Sequence, residues 1–239
     1  MSTPALALQS EDVRKTFGSF TALAGITMNV RKGEFVALFG RNGAGKTTFL
    51  KIAATLMRAS EGRLTIDGVA SADHPEQVRR RIGFLSHNTY LYRDLSPIEN
   101  LRFFGRLYQV PDIEDRIPPL LERVGLRRRA KDPVRAFSRG LQQRLGIARV
   151  MLHEPALILL DEPYTGLDAN AVQMLNDILD ELVSAGKTVM LTTHDVEQGL
   201  RAATQAAIID RGKLVLMTTA DDPEVRRLYA STNRDVGNA

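Results

Sequence analysis

Nine consecutive residues carry the clearest chemistry in this chain. Gly40-Arg41-Asn42-Gly43-Ala44-Gly45-Lys46-Thr47-Thr48 contains the pattern G-x-x-x-x-G-K-[ST], in which backbone amides cradle the phosphates of a nucleoside triphosphate. Glycines let the backbone turn through positive φ and approach an anion, the following helix N-terminus adds partial positive charge, and Lys46 adds a full one. The Thr47 hydroxyl is placed to hold Mg²⁺. A second constellation is Asp161-Glu162, which follows the apolar run Ala156 to Leu160. Two carboxylates at the C-terminal end of a buried strand lie on the edge where open α/β sheets bind ligands. Asp161 is expected to hold Mg²⁺ and Glu162 to orient or deprotonate the water that attacks the γ-phosphate. Taken alone, the pair also suits a helix start that meets the helix dipole. His194 ends another apolar run, Val189 to Thr193, and is expected at the same sheet edge as a γ-phosphate or water contact. His74 and His153 have no such context.

The elements that must position these groups follow from periodicity. Phe35 to Phe39 reads as a buried parallel strand, and Thr47 to Ala54 as the helix that opens after the loop. Two half-buried strands are expected near Leu8 to Arg14 and Gly25 to Val30, and Gly62 to Ile66 starts a hairpin at Asp67-Gly68. The character then turns helical. Ser96-Pro97-Ile98-Glu99 is a capping box with proline at the first helical position. Asp112 is expected to cap a second helix that ends at Gly125, and Ser138 a third carrying Leu141, Leu145, Ala148 and Leu152. Gly140 in the first turn of that helix costs up to about 1 kcal/mol relative to Ala, which suggests a ligand that must approach the backbone there. Strand and helix alternate again from Ala156 to Ile209, with a helix over Ala171 to Ser184, and a frayed polar tail is expected from about Ser231. The pattern predicts an α/β protein with a mostly parallel sheet, an N-terminal antiparallel β portion and an inserted helical segment.

Composition excludes several classes. Zero Cys among 239 residues removes disulfides, thiolate metal sites and Cys nucleophiles. A net charge of +4 is too small to argue for nucleic acid. No apolar run approaches the ~20 residues needed to cross a bilayer, so any membrane contact is expected to pass through a partner rather than by insertion. The N-terminus lacks a basic region followed by an apolar core.

Together these motifs resemble the ATP-binding subunits of ABC transporters, over about Leu8 to Met217. The resemblance rests on the loop Gly40 to Thr47, Phe137-Ser138-Arg139-Gly140 followed by Leu141-Gln142-Gln143-Arg144, Asp161-Glu162-Pro163, Thr165-Gly166-Leu167-Asp168 and His194, in that order. It implies a P-loop ATPase with ATP and Mg²⁺ as cofactors, working as a head-to-tail homodimer or pseudo-dimer beside an integral membrane transporter subunit. Ser138 and Gly140 of one copy would complete the site of the other, Asp168 would lie at the contact, and Phe17 stands where the family stacks an aromatic on adenine. One ATPase domain over 1–239 is implied, with an ATP-binding core at 1–87 and 151–217, a helical signature subdomain at 88–150 and a C-terminal extension at 218–239. The implied location is the cytoplasmic face of the inner membrane, peripherally bound.

Two departures stand out. The family signature L-S-G-G-Q is altered at Arg139 and Leu141, and His87 replaces a glutamine that contacts Mg²⁺ and the attacking water. With its signature and Asp161 to Asp168, His87 makes the chain look most like the ATP-binding subunit of the haem exporter of cytochrome c maturation. Exporters of drugs, polysaccharides or lipids share part of this pattern. A soluble ATPase acting on ribosomes or DNA is a further alternative, opposed by the single phosphate loop, the lack of a long heptad run and the absence of Cys. A non-catalytic, nucleotide-gated module is opposed by Glu162.

Overall fold

In the computed structural model, residues 5–86 and 88–234 are described. Two long strands open the chain, β1 (Leu6–Phe17) and β2 (Phe20–Arg31), each reaching beyond its apolar segment because the tight Gly18-Ser19 turn lets the ladder run to its end. With β4 (Glu61–Ile66) and β5 (Val69–Ala70) they make a four-stranded antiparallel sheet in the order β2-β1-β4-β5.

The larger sheet has six strands in the order β10-β9-β3-β8-β7-β6. Its members are β3 (Phe35–Phe39), β6 (Ile82–Leu85), β7 (Leu157–Asp161), β8 (Thr188–Thr192), β9 (Gln205–Asp210) and β10 (Lys213–Thr219). All neighbours pair in parallel except the β9–β10 hairpin. Every residue of β3, β7 and β8 is buried. That burial explains their continuous apolar sequence, since strands covered on both faces have no solvent side to alternate with.

Helix α1 (Lys46–Ala53) follows the phosphate loop and buries Phe49 and Leu50 between the two sheets, in a core shared with Leu8, Val30 and Ile66. Burying side chains of this size stabilises by about 1.5–3 kcal/mol each. A short helix α2 (Pro75–Arg81) leads to β6. On the other face, α3 (Pro97–Leu107), α4 (Ile113–Arg123), α5 (Arg139–Met151) and α6 (Ala169–Ser184) enclose Leu101, Leu121, Leu145, Leu160, Leu175 and Ile178. The inserted helices therefore share one apolar core with the main sheet. The α3 capping box is complete, with the Ser96 amide donating to Glu99 Oε2 at 2.8 Å and the Glu99 amide to Ser96 Oγ at 3.4 Å.

Two expectations fail. Asp112 precedes α4 without a side-chain cap bond, because its φ of 51° turns the chain after Pro111 and carries the carboxylate away from the helix amides. Nor does the chain leave regular structure at Ser231: it is helical to Arg234, and the rest of the expected tail lies outside the described residues. After α7 (Val196–Leu200) and the β9–β10 hairpin, α8 (Pro223–Arg234) continues through that point, anchored by fully buried Val225 with Leu228 and Tyr229 against the sheet. Its polar outer face conceals this i, i+3, i+4 apolar stripe.

Candidate active site

Register brings the three chemical segments together. Leu38 of β3 pairs with Thr192 of β8, and Thr192 pairs with Asp161 of β7. At roughly 4.8 Å per strand, the phosphate loop after β3, the Thr192–His194 segment and Asp161-Glu162 converge within about 10 Å at the C-terminal edge of the sheet.

The loop from Gly40 to Gly45 turns sharply into α1. Gly45 stands at the α1 N-cap with φ 111°, and a Cβ there would lie 2.7 Å from the Ala22 carbonyl oxygen. At Gly40 a Cβ would approach the Ile209 carbonyl oxygen to 2.2 Å. The obstacle at Gly40 is the Ile209 backbone, which cannot swing aside as a side chain would, and φ there is 149°, so Gly40→Ala is expected to lower Tm by roughly 5–10 °C, checked by thermal unfolding without nucleotide. Lys46 is buried and folds back on the loop, donating from Nζ to the Gly40 carbonyl at 2.6 Å and to that of Arg41 at 3.2 Å. Burial lowers its pKa, and the Glu162 and Asp161 carboxylates oppose that shift. A phosphate anion would further favour the charged ammonium.

Asp161 is almost fully buried, and its Oδ1 accepts from Thr47 Oγ1 at 2.9 Å and from Thr192 Oγ1 at 2.8 Å. The Thr47 hydroxyl and Asp161 carboxylate are hard oxygen donors meeting at one point. This suits Mg²⁺, which takes one or two protein oxygens and completes its shell with water and phosphate. Among the described residues no cluster of three or more His, Cys, Asp and Glu could form an all-protein cage. When bound, such an ion neutralises charge developing on the phosphoryl oxygens.

Glu162 adopts φ 51°, a left-handed conformation that costs energy for a residue with a side chain and recurs at functional sites. Its amide is held by the carbonyl and the hydroxyl of Thr192, at 3.1 and 3.0 Å. Its Oε2 lies 2.9 Å from Nδ1 of the exposed His194. Two constraints thus aim one carboxylate at the mouth of the phosphate loop. A cavity of about 250 Å³ there is lined by Phe17, Phe20, Arg41 to Thr48 and Glu162. Phe17 and Phe20 are both exposed at its rim, and either can offer a ring to a planar base.

Phe20 and Thr192 belong to no motif in the sequence. Phe20 resembles any strand residue, whereas Thr192-Thr193, a polar pair ending an apolar run, was a usable signal for an acidic partner. His153 is structural, stacked on Tyr108 at 4.1 Å with Nε2 2.8 Å from the Ile82 carbonyl oxygen. His87 lies outside the described residues.

Ser138, Gly140 and Asp168 do not line this cavity. Ser138 caps α5, its Oγ accepting from the Leu141 amide at 3.4 Å, and Asp168 caps α6, accepting from the Ala171 amide at 2.8 Å. Arg139, one of the two residues that depart from the family signature, packs against the Gly166 backbone: a Cβ on Gly166 would lie 3.2 Å from Arg139 Cδ. A Cβ on Gly140 would meet nothing within 4 Å. Nothing within the described chain therefore requires glycine at 140.

A parallel sheet with a phosphate loop after β3, an Asp-Glu pair ending β7 and a histidine following β8 defines a P-loop nucleoside triphosphatase. The comparisons narrow this further. The family model described as "ABC transporter" matches residues 23–165. The Nod factor export ATP-binding protein I of Ralstonia nicotianae is 37% identical over 216 residues, covering 90% of this chain and 67% of that protein. A lantibiotic transport ATP-binding protein of Streptococcus pyogenes is 35% identical over 217 residues, covering 91% and 93%. Among solved structures, the ATP-binding subunit of an ABC transporter superposes with a TM-score of 0.88 at 31% identity, covering 95% of this chain and 100% of that one. A dimeric ATP-binding cassette in a post-hydrolysis state with ADP and Pi gives 0.82 at 28%, covering 89% and 98%. The chain belongs to the ABC transporter family, and it is an ATP-binding ATPase domain of that family.

Proposed function

We propose that this chain is the ATP-hydrolysing motor of an exporter, acting as a head-to-tail dimer docked on a membrane subunit at the cytoplasmic face of the membrane. The motor reading is carried by one cavity lined by Lys46, Thr47 and Glu162, with Asp161 hydrogen-bonded to Thr47 and His194 to Glu162 just behind that lining. In it, Lys46 and the loop amides hold the β- and γ-phosphates, Thr47 and Asp161 hold Mg²⁺, Glu162 orients the attacking water, and His194 contacts the γ-phosphate. Ser138 and Gly140 act on the partner's nucleotide, with Asp168 at the dimer contact. The 88–150 segment transmits the ATP cycle to the membrane subunit.

Export is supported by relatives named for Nod factor export, lantibiotic transport, and linearmycin and daunorubicin resistance. None of these names concerns haem, so the haem assignment suggested by His87 and the altered signature gives way to export of another secreted product or drug. No helix among the described residues is long and apolar enough to cross a membrane, and the membrane contact is assigned to the helical face. Tyr92 and Phe103 stack edge-on there at 4.7 Å while both remain exposed, as does Tyr90. Exposed aromatic clusters of this kind suit interface anchors. Tyr92→Asp is expected to abolish co-purification with the membrane subunit in detergent while leaving ATP binding and Tm unchanged. Retention of the complex would remove this surface from the interface, and failure of the unaltered protein to recover any membrane protein would remove the exporter reading.

A further inference from the structure

The last helix reaches the catalytic edge at three points. Tyr229 of α8 lies against Phe39, the residue before the phosphate loop, with ring centroids 5.8 Å apart and planes inclined by 59°. Its hydroxyl donates to the backbone carbonyl of His194 at 2.9 Å. One turn later, the Thr232 carbonyl accepts from Arg41 Nη1 at 3.3 Å, so a guanidinium of the phosphate loop meets the carbonyl end of the helix. Val225, fully buried, fixes the base of this arm among Ala37, Phe39 and Ile208.

His194 needs such support. It sits in the loop between β8 and α7, with its side chain about two-thirds exposed, yet it must present Nδ1 to Glu162. We propose that Tyr229 is a positioning residue for hydrolysis: by holding the His194 carbonyl it sets the imidazole against Glu162, and α8 ties that placement to the phosphate loop through Phe39 and Arg41. The inference rests on the reading of His194 as the γ-phosphate contact. A hydroxyl used only for packing would add stability without bearing on turnover; one that places His194 acts on the chemical step. Displacements of about an ångström in a catalytic group are enough to cost up to ~10²-fold in rate.

Tyr229→Phe keeps the ring on Phe39 and removes only the donor. We expect kcat for ATP hydrolysis to fall by about tenfold with KM unchanged, the pattern of an interaction felt in the transition state alone. The chain has four histidines, so the imidazole NMR signals can be assigned, and the His194 signals should move while those of His74 and His153 stay in place. Arg226→Gln, which removes the α8 ion pair to Glu197 at 3.1 Å, is the control on the same helix and should leave kcat as it is. An unchanged kcat in Tyr229→Phe, or a fall that Arg226→Gln matches, overturns the proposal. His194→Ala separates it from the reading beneath it. Wild-type turnover in His194→Ala removes that reading, whereas an inactive His194→Ala beside a fully active Tyr229→Phe removes only the role of Tyr229.

Discussion

Replacing Glu162 by Gln is expected to lower ATP hydrolysis by at least about 10²-fold, equivalent to about 2.7 kcal/mol of transition-state stabilisation, while ATP still binds. The substitution keeps the volume of the side chain and a polar atom within reach of His194 Nδ1, so the strained backbone at residue 162 and its two bonds to Thr192 have no cause to relax. What is lost is the negative charge that accepts a proton from water. Binding depends on different groups, chiefly the loop amides and Lys46, whose contacts to Gly40 and Arg41 do not involve Glu162. Removing the carboxylate withdraws one of two charges that favour the Lys46 ammonium, and Asp161 remains as the other. Phosphate release under saturating ATP, together with equilibrium binding of a fluorescent ATP analogue, separates the two effects. Hydrolysis at the wild-type rate would return the chain to the class of nucleotide-gated interaction modules. A parallel loss of binding would mean that Glu162 shapes the pocket instead of serving the chemistry.

How far the sequence revealed this site depended on whether a group acts through its neighbours in the chain or through space. The phosphate loop was fully legible, since its glycines answer to backbone geometry that a single strand–loop–helix unit defines. Asp161, Glu162 and His194 were legible as strand ends, because parallel strands deliver their C-terminal residues to a common edge whatever their order. Phe20 and Tyr229 were not, because nothing local distinguishes a rim phenylalanine from a core one, or a tyrosine that reaches another loop from one that caps its own helix. The same limit hid α8, an amphipathic helix of high polarity whose last turn, from Ser231, passed for a tail. Asp112 shows the opposite error. Its residue type suits a helix cap, but the turn that joins α3 to α4 needs a left-handed residue at that position, and the backbone requirement outweighed the side chain.

Gly140→Asp should leave the fold intact and nearly abolish turnover. Gly140 is the second residue of α5, where an added Cβ meets open space and φ is not left-handed. Exchanging such a glycine for a residue with a side chain restricts the unfolded chain, and an acid in the first turn of a helix complements its dipole. Stability is therefore expected to hold or rise, by up to about 1 kcal/mol. A loss of activity could then come only from another molecule that approaches the α5 N-terminus, and a carboxylate placed there would repel a γ-phosphate. The decisive experiment mixes Gly140→Asp with Lys46→Ala subunits, each inactive alone. In a head-to-tail heterodimer, one site combines the intact Lys46 of the first with the intact Gly140 of the second, while the other site carries both defects. Random exchange makes half the dimers mixed, each with one sound site of two, so activity should recover to about a quarter of the wild-type value. Mixing without recovery, with exchange shown by differently labelled subunits, would overturn the sharing of each ATP site between two chains, and a Gly140→Asp variant that turns over at the wild-type rate would leave Gly140 without a role in it.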